Sequence, residues 1–546
     1  MIRHTVTGAV LLGLLTFCGV AAAVSDGPVV DQFIVRMRSG AVPDAARTGN
    51  ARAASRLASV TGRTLRLRRR MGSGSFVYAL PAAVSRRDAE GILAELGGDP
   101  DVLSAEIDER VTAAYVPTDA DPIAYPGSLY VYQWPLHNLA AEPFGMDMED
   151  AWDITRGDSA SVVAVLDTGI LSHEDLNAAR ILPGYDFISD PATSNDGDGR
   201  DPDPSDPGDW TAADQCGQGK PQKDSSWHGL LVTGLIAAEA ENGTGIEGID
   251  FHTNILPVRV LGRCGGHVSD IVDAMRWAVG ETNRDAGTLP VGQRARVVNL
   301  SASTEEPGGC TPEEQTAIDF VRAHGAVVIT AAGNESGEAR DHSPGNCQGV
   351  INVAASTRTG ELASYSNFGE NVDFVAPGGS NPLNPDGVAT LSNGGITIPD
   401  ANSVYVLGEG TSFSAAETAG VASLIFAVNP SLMPDQVANI LCATAQALPA
   451  CGASTCGKGV LDANGALTLA QMSLTDPTVI PAGSCPFETL NVGPSLRVHA
   501  AGGGGGCVAG RTGRVDPLLF VLLAVLTWRA RPGMRGSAVR QPATGR

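Results

Sequence analysis

The central part of the chain alternates apolar runs with segments of helical spacing. Residues Val162–Leu166 are apolar without interruption, as expected for a parallel strand buried on both faces. Five further runs are similar although less purely apolar: Ile255–Leu261, Val297–Leu300, Ala326–Ala331, Val350–Ala354 and Val372–Val375. Between them we predict helices, one capped by Ser269 and stopped by Gly280, and one opening at Thr311 with Pro312 in its first turn. This repeated β-α alternation predicts an α/β fold around a mostly parallel, doubly wound sheet.

A different pattern precedes this region and predicts a separate small α+β unit over residues 24–115. Gln32–Met37 and Phe76–Tyr78 have the character of strands, and Ala89–Leu96 has helical spacing. The charged side chains of residues 36–70 are almost all arginines. Such a basic segment would complement an acidic domain, but an ordinary solvated surface has the same composition, and the charge run does not decide between them.

The start of the chain and the segments around the main domain are distinguished by composition. Residues 1–23 combine early basic residues, an apolar run and a small-residue cleavage site, which is the pattern of an export signal. The run is short for a membrane span, and Cys18 within it only weakly indicates a lipoprotein. Residues 116–132, with their Pro and Asp, are predicted to be a linker and maturation region. The main domain is predicted over residues 133–470, followed by an extension over 471–500.

The last segment, residues 501–546, has the composition of a sorting signal. It contains the glycine run Gly502–Gly506, the apolar stretch Pro517–Trp528 and several arginines after it. At 12 residues the apolar stretch is short for a membrane span. The alternative is a hydrophobic tail kept in the mature protein, which we rank lower because exposed apolar surface invites aggregation. We therefore expect a protein that is secreted or held at the cell surface and contacts the membrane only transiently.

The charge composition of the chain argues against one class of binding partner. The 546 residues carry a formal net charge of -23, which argues against nucleic acid as the partner.

Ten cysteines in an exported chain predict disulfide bonds. Cys18 would leave with the signal and Cys507 with the tail, so that the remaining cysteines are even in number, and the spacing allows a local Cys451–Cys456 bridge. The histidines and cysteines have no zinc-site spacing.

Three polar residues lie where the predicted elements would bring chemistry together. Asp167 follows a buried strand, and His228 and Ser412 each open an apolar helix. Ligands of open α/β sheets bind beyond the carboxyl ends of the strands. A serine hydroxyl needs a base to attack at neutral pH, histidine suits that task, and a buried carboxylate orients the imidazole. Asn334, in the loop after another strand, and the Ser412 backbone N–H are candidate donors to an oxyanion.

Four short motifs carry a family resemblance. Asp167-Thr168-Gly169, His228-Gly229, Ala332-Gly333-Asn334 and Gly410-Thr411-Ser412 occur in the chain order of the subtilisin-like serine proteases. The chain is similar to that family from about residue 133 to 469. The resemblance implies a monomeric endopeptidase that hydrolyses peptide bonds of proteins through an acyl-enzyme on Ser412. It implies that Asp167 orients the imidazole, His228 is the general base and Asn334 holds the oxyanion.

The resemblance also implies how the enzyme matures and what it binds. Residues 31 to about 110 resemble the family's prosegment, an intramolecular chaperone and inhibitor that is cut off by autoprocessing, here between about Val111 and Tyr125. Extended substrate would pair with the segments Ser301-Ala302-Ser303 and Ala331-Ala332-Gly333. A structural calcium ion would be bound by oxygens of four residues, with Gln133 as a weaker candidate: Asp175, Asn242, Thr244 and Ile246.

A second place for a cation is predicted from the residues themselves. Asp196, Asp198 and Asp201 stand close together in the sequence, and three more aspartates follow, namely Asp203, Asp206 and Asp209. Carboxylates at this density would repel one another unless a cation such as Ca²⁺ neutralised them. A solvated acidic loop is an equally good interpretation of the same pattern.

The chain departs from the family pattern behind the catalytic residues. Leu230 and Leu231 follow His228-Gly229 where the family has Thr-His, and Ala416 replaces a proline, followed by the unusual Glu417. Two alternatives to an active enzyme therefore stay open. The fold could be retained as a binding surface without activity, which labelling by a fluorophosphonate would exclude. The chain could also be a membrane-tethered surface protein, which the intact mass of the mature protein would test.

Overall fold

The computed structural model describes residues 29–38, 57–108, 110–113, 129–381, 385–449 and 451–485. The predicted export signal, the sorting segment, most of the linker and the end of the extension lie outside the described residues.

The first part of the described chain is a small α+β unit. Its strands β1 (Val29–Met37), β2 (Arg66–Arg70), β3 (Phe76–Ser85) and β4 (Val102–Ile107) form an antiparallel sheet in the order β2-β3-β1-β4. Residues 57–61 are helical, and helix α1 (Arg86–Gly97) packs on the sheet. The side chains of Ile92 and Leu96 are buried with Phe33 and Tyr78, so one face of the helix and alternate strand positions build one core.

The remaining strands belong mostly to one large sheet. They are β5 (Arg110–Ala113), β6 (Val162–Asp167), β7 (Tyr185–Asp186), β8 (Asn254–Arg259), β9 (Gly266–His267), β10 (Val297–Leu300), β11 (Ala302–Thr304), β12 (Val327–Ala331), β13 (Ile351–Ser356), β14 (Phe374–Pro377), β15 (Val388–Asn393) and β16 (Ser403–Gly408). Seven of them form a sheet in the order β14-β13-β12-β10-β6-β8-β7, in which every neighbouring pair is parallel. The predicted mostly parallel α/β sheet is confirmed.

Helices cover both faces of this sheet. They are α2 (Met148–Ala151), α3 (Pro191–Ser194), α4 (His228–Ala237), α5 (Val268–Ala278), α6 (Pro312–Ala323), α7 (Thr411–Val428), α8 (Pro434–Thr444), α9 (Ala453–Cys456) and α10 (Ala463–Ser473). Short 3-10 helices lie at Tyr130–Tyr132, Trp134–Leu136, Ala178–Arg180, Val291–Gln293, Ala339–Asp341 and Pro477–Val479. Along β6, Val163 and Val165 join the core of α4 and α7, whereas Ala164 and Leu166 join that of α5 and α6. Burial on both faces, at about 1.5–3 kcal/mol per large apolar side chain, accounts for the uninterrupted apolar run.

The two predicted helix starts have different outcomes. Helix α6 begins as predicted, because the Thr311 hydroxyl accepts from the Glu314 N–H at 3.3 Å and the Glu314 carboxylate accepts from the Thr311 N–H at 2.9 Å. The prediction that Ser269 caps α5 is wrong, since that helix begins one residue earlier at Val268. The Ser269 N–H instead donates to the Asp108 carboxylate at 2.8 Å. A carboxylate from the small unit therefore satisfies the start of this helix.

The core helix and the disulfide bonds hold the main domain together. Among the described residues, α7 is the one helix long and apolar enough to cross a membrane, but 89% of that stretch is buried inside the protein. Disulfide bonds are present, as expected. Three join segments that are 37 to 48 positions apart and the fourth closes a separation of 5 positions: Cys216–Cys264, Cys310–Cys347, Cys442–Cys485 and Cys451–Cys456. The last of these is the local bridge that the spacing allowed.

Candidate active site

Strand ends and helix starts meet at the carboxyl edge of the sheet. Asp167 is the last residue of β6, and His228 is the first residue of α4. Asn334 lies in the loop after β12, and Ser412 lies in the first turn of α7. The start of α4 contacts Gly169, just after β6, and the Ser412 hydroxyl donates to the Ser301 carbonyl oxygen, just after β10, so both helix starts lie at the same edge. This is the edge at which open α/β sheets bind their ligands.

Two glycines let the Asp167 loop and the His228 helix approach each other. Gly169 has φ +117°, a conformation that favours glycine. A Cβ atom on Gly229 would lie 2.1 Å from the Gly169 carbonyl oxygen. Gly169, two residues after Asp167, and Gly229, directly after His228, are therefore glycines because the two backbones are in contact here.

The Asp167 and His228 side chains form a buried pair. His228 Nδ1 lies 2.7 Å from Asp167 Oδ1, and both side chains are at most 1% exposed. The same carboxylate oxygen accepts the Thr168 N–H at 2.7 Å. A carboxylate in this position fixes the imidazole tautomer with the proton on Nδ1, which leaves Nε2 as the basic nitrogen.

The Ser412 side chain is held at the end of β10. Its hydroxyl donates to the Ser301 carbonyl oxygen at 3.2 Å, and the Ser301 hydroxyl donates in return to the Ser412 carbonyl oxygen at 3.1 Å. Asn299 Nδ2 donates to the Ser301 hydroxyl at 2.9 Å. Because Ser412 lies in the first turn of α7, its backbone N–H is among those without an intrahelical acceptor, at the positive end of the helix dipole.

The Asn334 side chain is oriented by Thr411, the residue that precedes Ser412. Its Oδ1 accepts from the Thr411 N–H at 3.1 Å and from the Thr411 hydroxyl at 2.9 Å. Since a backbone N–H can only donate, the oxygen must face Thr411 and the amide nitrogen must face away. Among the described residues, the buried Nδ2 has no hydrogen-bond acceptor. The amide therefore presents two free N–H groups at the edge where Ser412 lies.

The predicted substrate segments flank these residues. Ala302 and Ser303 belong to β11, which pairs with β5, and Ser301 directly precedes β11. Ala331 ends β12, and the Gly333 N–H donates to the Thr411 hydroxyl at 3.2 Å. Sequence reasoning missed Asn367, which is buried under this second segment. Its Nδ2 donates to the Ala332 carbonyl oxygen at 3.0 Å and to Glu335 Oε2 at 2.7 Å. No periodic or motif signal marked it.

The first predicted calcium residues come together around one buried carboxylate. Asn242 Nδ2 lies 2.6 Å from Asp175 Oδ1, and the Ile246 N–H donates to Asp175 Oδ2 at 2.9 Å. The Thr244 N–H binds the Asn242 side-chain oxygen at 2.7 Å. Burial, reinforced by nearby acidic side chains, raises the pKa of Asp175 to about 6. No Lys or Arg of the described chain forms an ion pair with Asp175, and Glu174 and Glu247 add to the negative charge around it, so this uncompensated carboxylate fits a hard cation.

Gln133 is not among the groups that touch Asp175 directly. Its Nε2 donates to the Glu247 carbonyl oxygen at 2.8 Å, and its Oε1 accepts the Glu247 N–H at 2.8 Å. Gln133 thus anchors the N-terminal end of the main domain beside the Asn242–Ile246 loop. Its side-chain oxygen is already used in this arrangement.

The acidic loop is divided between three environments. Asp196 binds the buried guanidinium of Arg259 at 2.8 Å, so a side chain of the protein neutralises this carboxylate. Asp198 and Asp201 stay near the surface, and partial desolvation followed by the charges of Asp201 and Asp196 raises the pKa of Asp198. Asp206 and Asp209 turn inward, and burial followed by the charge of Asp209 raises the pKa of Asp206 to about 7. The loop does not converge on one centre.

The departures from the family pattern lie in the core behind the site. Leu231 and Ala416 are fully buried in the cluster shared by α4 and α7. Both substitutions therefore keep the packing between these helices apolar. Glu417 is also buried, at 1% exposure, and burial raises the pKa of its carboxyl group well above the ordinary value.

Comparisons with known proteins identify the family of the chain. Residues 158–466 match the sequence profile of the Subtilase family. An extracellular protease of Xanthomonas campestris is 40% identical over 446 residues, which are 80% of this chain and 73% of that protein. An extracellular basic protease of Dichelobacter nodosus is 35% identical, over 73% of this chain and 63% of that protein. A solved protease structure from Pseudoalteromonas arctica has a TM-score of 0.58 and 42% identity, covering 62% of this chain and 98% of that one.

Proposed function

The chain belongs to the subtilase family and is a serine-type endopeptidase, and from this premise we propose that Ser412 is its nucleophile, His228 the general base and Asp167 the residue that orients the base. The observation that carries this proposal is the buried contact of 2.7 Å between His228 Nδ1 and Asp167 Oδ1. With the proton on Nδ1, Nε2 is the basic nitrogen of the imidazole, and Ser412 lies in the first turn of the helix that packs against α4.

The geometry supports acyl transfer in two steps. Ser412 Oγ attacks the carbonyl carbon of the scissile bond while His228 Nε2 takes the hydroxyl proton. The carbonyl oxygen becomes an anion that accepts from Asn334 Nδ2 and the Ser412 N–H. The imidazolium returns the proton to the leaving amine, the C–N bond breaks and an acyl-enzyme remains. Water then repeats the sequence, with His228 again as base, and releases the carboxylic acid and free Ser412.

A fluorophosphonate probe tests the nucleophile. The wild-type mature protein should be labelled at Ser412, whereas Ser412→Ala should not be labelled and should lose about 10⁶-fold in turnover. Ser431→Ala, an exposed serine at the far end of α7, serves as the matched control and should be labelled at the wild-type rate. Labelling of Ser412→Ala at another residue, or none in the wild type, would refute the assignment.

We propose further that residues 24–115 are a prosegment removed by the enzyme itself. Strand β5 supports this, since it lies between β9 and β11 in an antiparallel sheet with Ala113 opposite Ala302. Peptide substrates are expected to bind in this extended form. Strand β5 runs toward the Ser301 end of β11, where the Ser301 carbonyl oxygen accepts from the Ser412 hydroxyl, and this register supports a prosegment bound in the manner of a substrate. Ser412→Ala should therefore keep residues 24–115, detected as an unshortened chain by intact mass. Normal trimming would contradict self-processing but not the protease assignment.

Export and tail removal are parts of the same proposal. The relatives named extracellular proteases support an exported enzyme. The mature protein recovered outside the cell should lack residues 1–23 and the apolar stretch 517–528. An intact mass that includes either segment would contradict the corresponding cleavage.

We also propose that Asp175 and Asn242 bind a calcium ion that stabilises the fold. A chelator should lower the thermal midpoint of the wild type, since a ligand present at 100 times its Kd contributes about 2.7 kcal/mol. Asp175→Asn should show a smaller decrease. The exposed Asp224→Asn should respond to the chelator as the wild type does. Equal responses in all three proteins would exclude this site.

A further inference from the structure

Two carboxylates beside the Asp167–His228 pair take no part in the steps above. Asp206 is buried at 2% exposure, and Asp209 is half-buried. The sequence places them at the end of the acidic loop that was predicted to bind a cation. In the structure each is hydrogen-bonded to a residue next to the catalytic pair.

Asp206 connects the residues that directly follow Asp167 and His228. The Thr168 hydroxyl donates to Asp206 Oδ2 at 2.6 Å and accepts the Gly229 N–H at 2.9 Å. The Gly208 N–H holds Asp206 Oδ1 at 2.8 Å. Because the Thr168 proton goes to Asp206, the lone pairs of this hydroxyl face Gly229. The strand end that bears Asp167 is thereby tied to the helix start that bears His228.

Asp209 holds the backbone just before His228. The Ser226 N–H and hydroxyl donate to its two oxygens at 2.6 and 2.9 Å, and the Ser226 hydroxyl accepts the His228 N–H at 3.3 Å. Trp227 lies between them with φ +53°, a left-handed conformation that costs a bulky residue energy. Its Nε1 donates to the Gly395 carbonyl oxygen at 2.8 Å. The helix that begins at His228 is thus preceded by a strained residue, Trp227, which is held by the hydrogen bonds of Ser226 and by its own bond to Gly395.

We propose that Asp206 and Asp209 are positioning residues that hold the imidazole of His228 against Asp167 through Thr168 and Ser226. The inference rests on the proposed function of that pair. Arg259 and Asp209 are the charged groups that face Asp206, and His228 and Asp206 are those that face Asp209. Neither carboxylate touches the predicted position of the substrate segments, so their removal should affect kcat rather than KM.

The test uses mature enzyme produced from the full chain. Asp206→Ala and Asp209→Ala should each lower kcat by about 10²-fold, the loss typical of a displaced catalytic group, with KM unchanged. The Asn variants keep one acceptor oxygen and should recover part of this loss. A merely structural role would move the melting temperature without this separation of kcat from KM and without recovery in the Asn variants.

Asp224→Asn is the matched control, since Asp224 lies in the same loop, two residues before Ser226, and is exposed. If the Ala variants do not fold, the Asn variants and Ser226→Ala decide the question. Values of kcat equal to that of the control in all these variants would overturn the inference. Wild-type protein that a fluorophosphonate does not label would refute the proposed function and the inference together. A labelled wild type with unaffected Ala, Asn and Ser226→Ala variants refutes the inference alone.

Discussion

At the scale of single residues, the chemistry of the site depends on which polar atoms already have partners. The Asn334 oxygen accepts two hydrogen bonds from Thr411, while its buried Nδ2 has no acceptor among the described residues. An unsatisfied buried donor costs free energy in the resting state. It is therefore available to an oxyanion, which forms only as the reaction proceeds.

Asn334→Ala should lower kcat by about 10²–10³-fold and leave KM nearly unchanged, because the lost donor acts on the transition state. Steady-state kinetics on a peptide substrate measures both constants. Asn402→Ala, at an exposed turn far from Ser412, should keep the wild-type values. A decrease in kcat/KM caused by KM alone would show that Asn334 binds substrate and does not hold the oxyanion.

At the scale of an element, α7 carries both the proposed nucleophile, Ser412, and a glutamate buried in the apolar core, Glu417. Glu417 lies one and a half turns beyond Ser412, beside Leu235, Ile249 and Val388. Its Oε2 has no hydrogen-bond partner in the described chain, and burial raises its pKa well above 4.5. The folded protein therefore keeps the Glu417 proton at a pH where the unfolded chain has lost it.

The free energy of unfolding should thus decrease as pH rises above about 4.5, by up to about 1.4 kcal/mol per pH unit until the folded-state pKa is reached. Glu417→Gln has no proton to lose and should be more stable than its parent at pH 8, with the difference shrinking toward pH 5. Urea unfolding at a series of pH values, in a Ser412→Ala background where self-digestion is absent, measures this difference in the free energy of unfolding.

The exposed Glu370→Gln is the control for that series and should not change the pH dependence. A stability difference between Glu417→Gln and its parent that is constant from pH 5 to pH 8 would rule out a buried proton. Ordinary packing effects would remain as the explanation.

At the scale of the whole molecule, the small N-terminal unit meets the main domain through buried charges. Arg69 pairs with Asp270 and Asp273 of α5, and those carboxylates also bind Arg200. Elsewhere two acids face each other, since Glu106 Oε2 accepts the Glu313 N–H at 3.4 Å and both side chains are buried. Arg36 lies 3.8 Å from Glu313, and burial followed by the charges of Glu313 and Glu314 raises the pKa of Glu106 to about 9.

If residues 24–115 are released after cleavage, their binding should weaken as pH rises from about 4.5 to about 9, by up to about tenfold per pH unit. Bound Glu106 keeps a proton that the free unit gives up in this window. The lag before full activity of freshly processed enzyme should be shorter at pH 8.5 than at pH 6.5. Glu106→Gln should lengthen the lag at pH 8.5.

Glu95→Gln is the matched control, because Glu95 lies on the exposed side of α1 in the same unit. Its lag should follow the wild type at both pH values. Equal lags at pH 6.5 and 8.5 in the wild type would show that Glu106 does not control release.

Features that depend on the local chain could be predicted from the sequence. The uninterrupted apolar run of β6 requires burial on both faces, and Thr311, Pro312 and Glu314 specify a helix start by themselves. The parallel sheet followed from such patterns, as did the existence of disulfide bonds. Short motifs in a fixed order also allowed the family to be predicted from the sequence. Their glycines at 169 and 229 are required by close backbone contact.

Only the tertiary structure decided which distant group each charged side chain meets. Asp196 binds Arg259, which is 63 positions away, and Asp108 rather than Ser269 satisfies the start of α5. Asp206 and Asp209 resemble their neighbours in the acidic loop in sequence, but they bind Thr168 and Ser226 beside the proposed catalytic pair. The energy of a charge depends on the groups within a few ångströms in space, and spacing along the chain does not specify them.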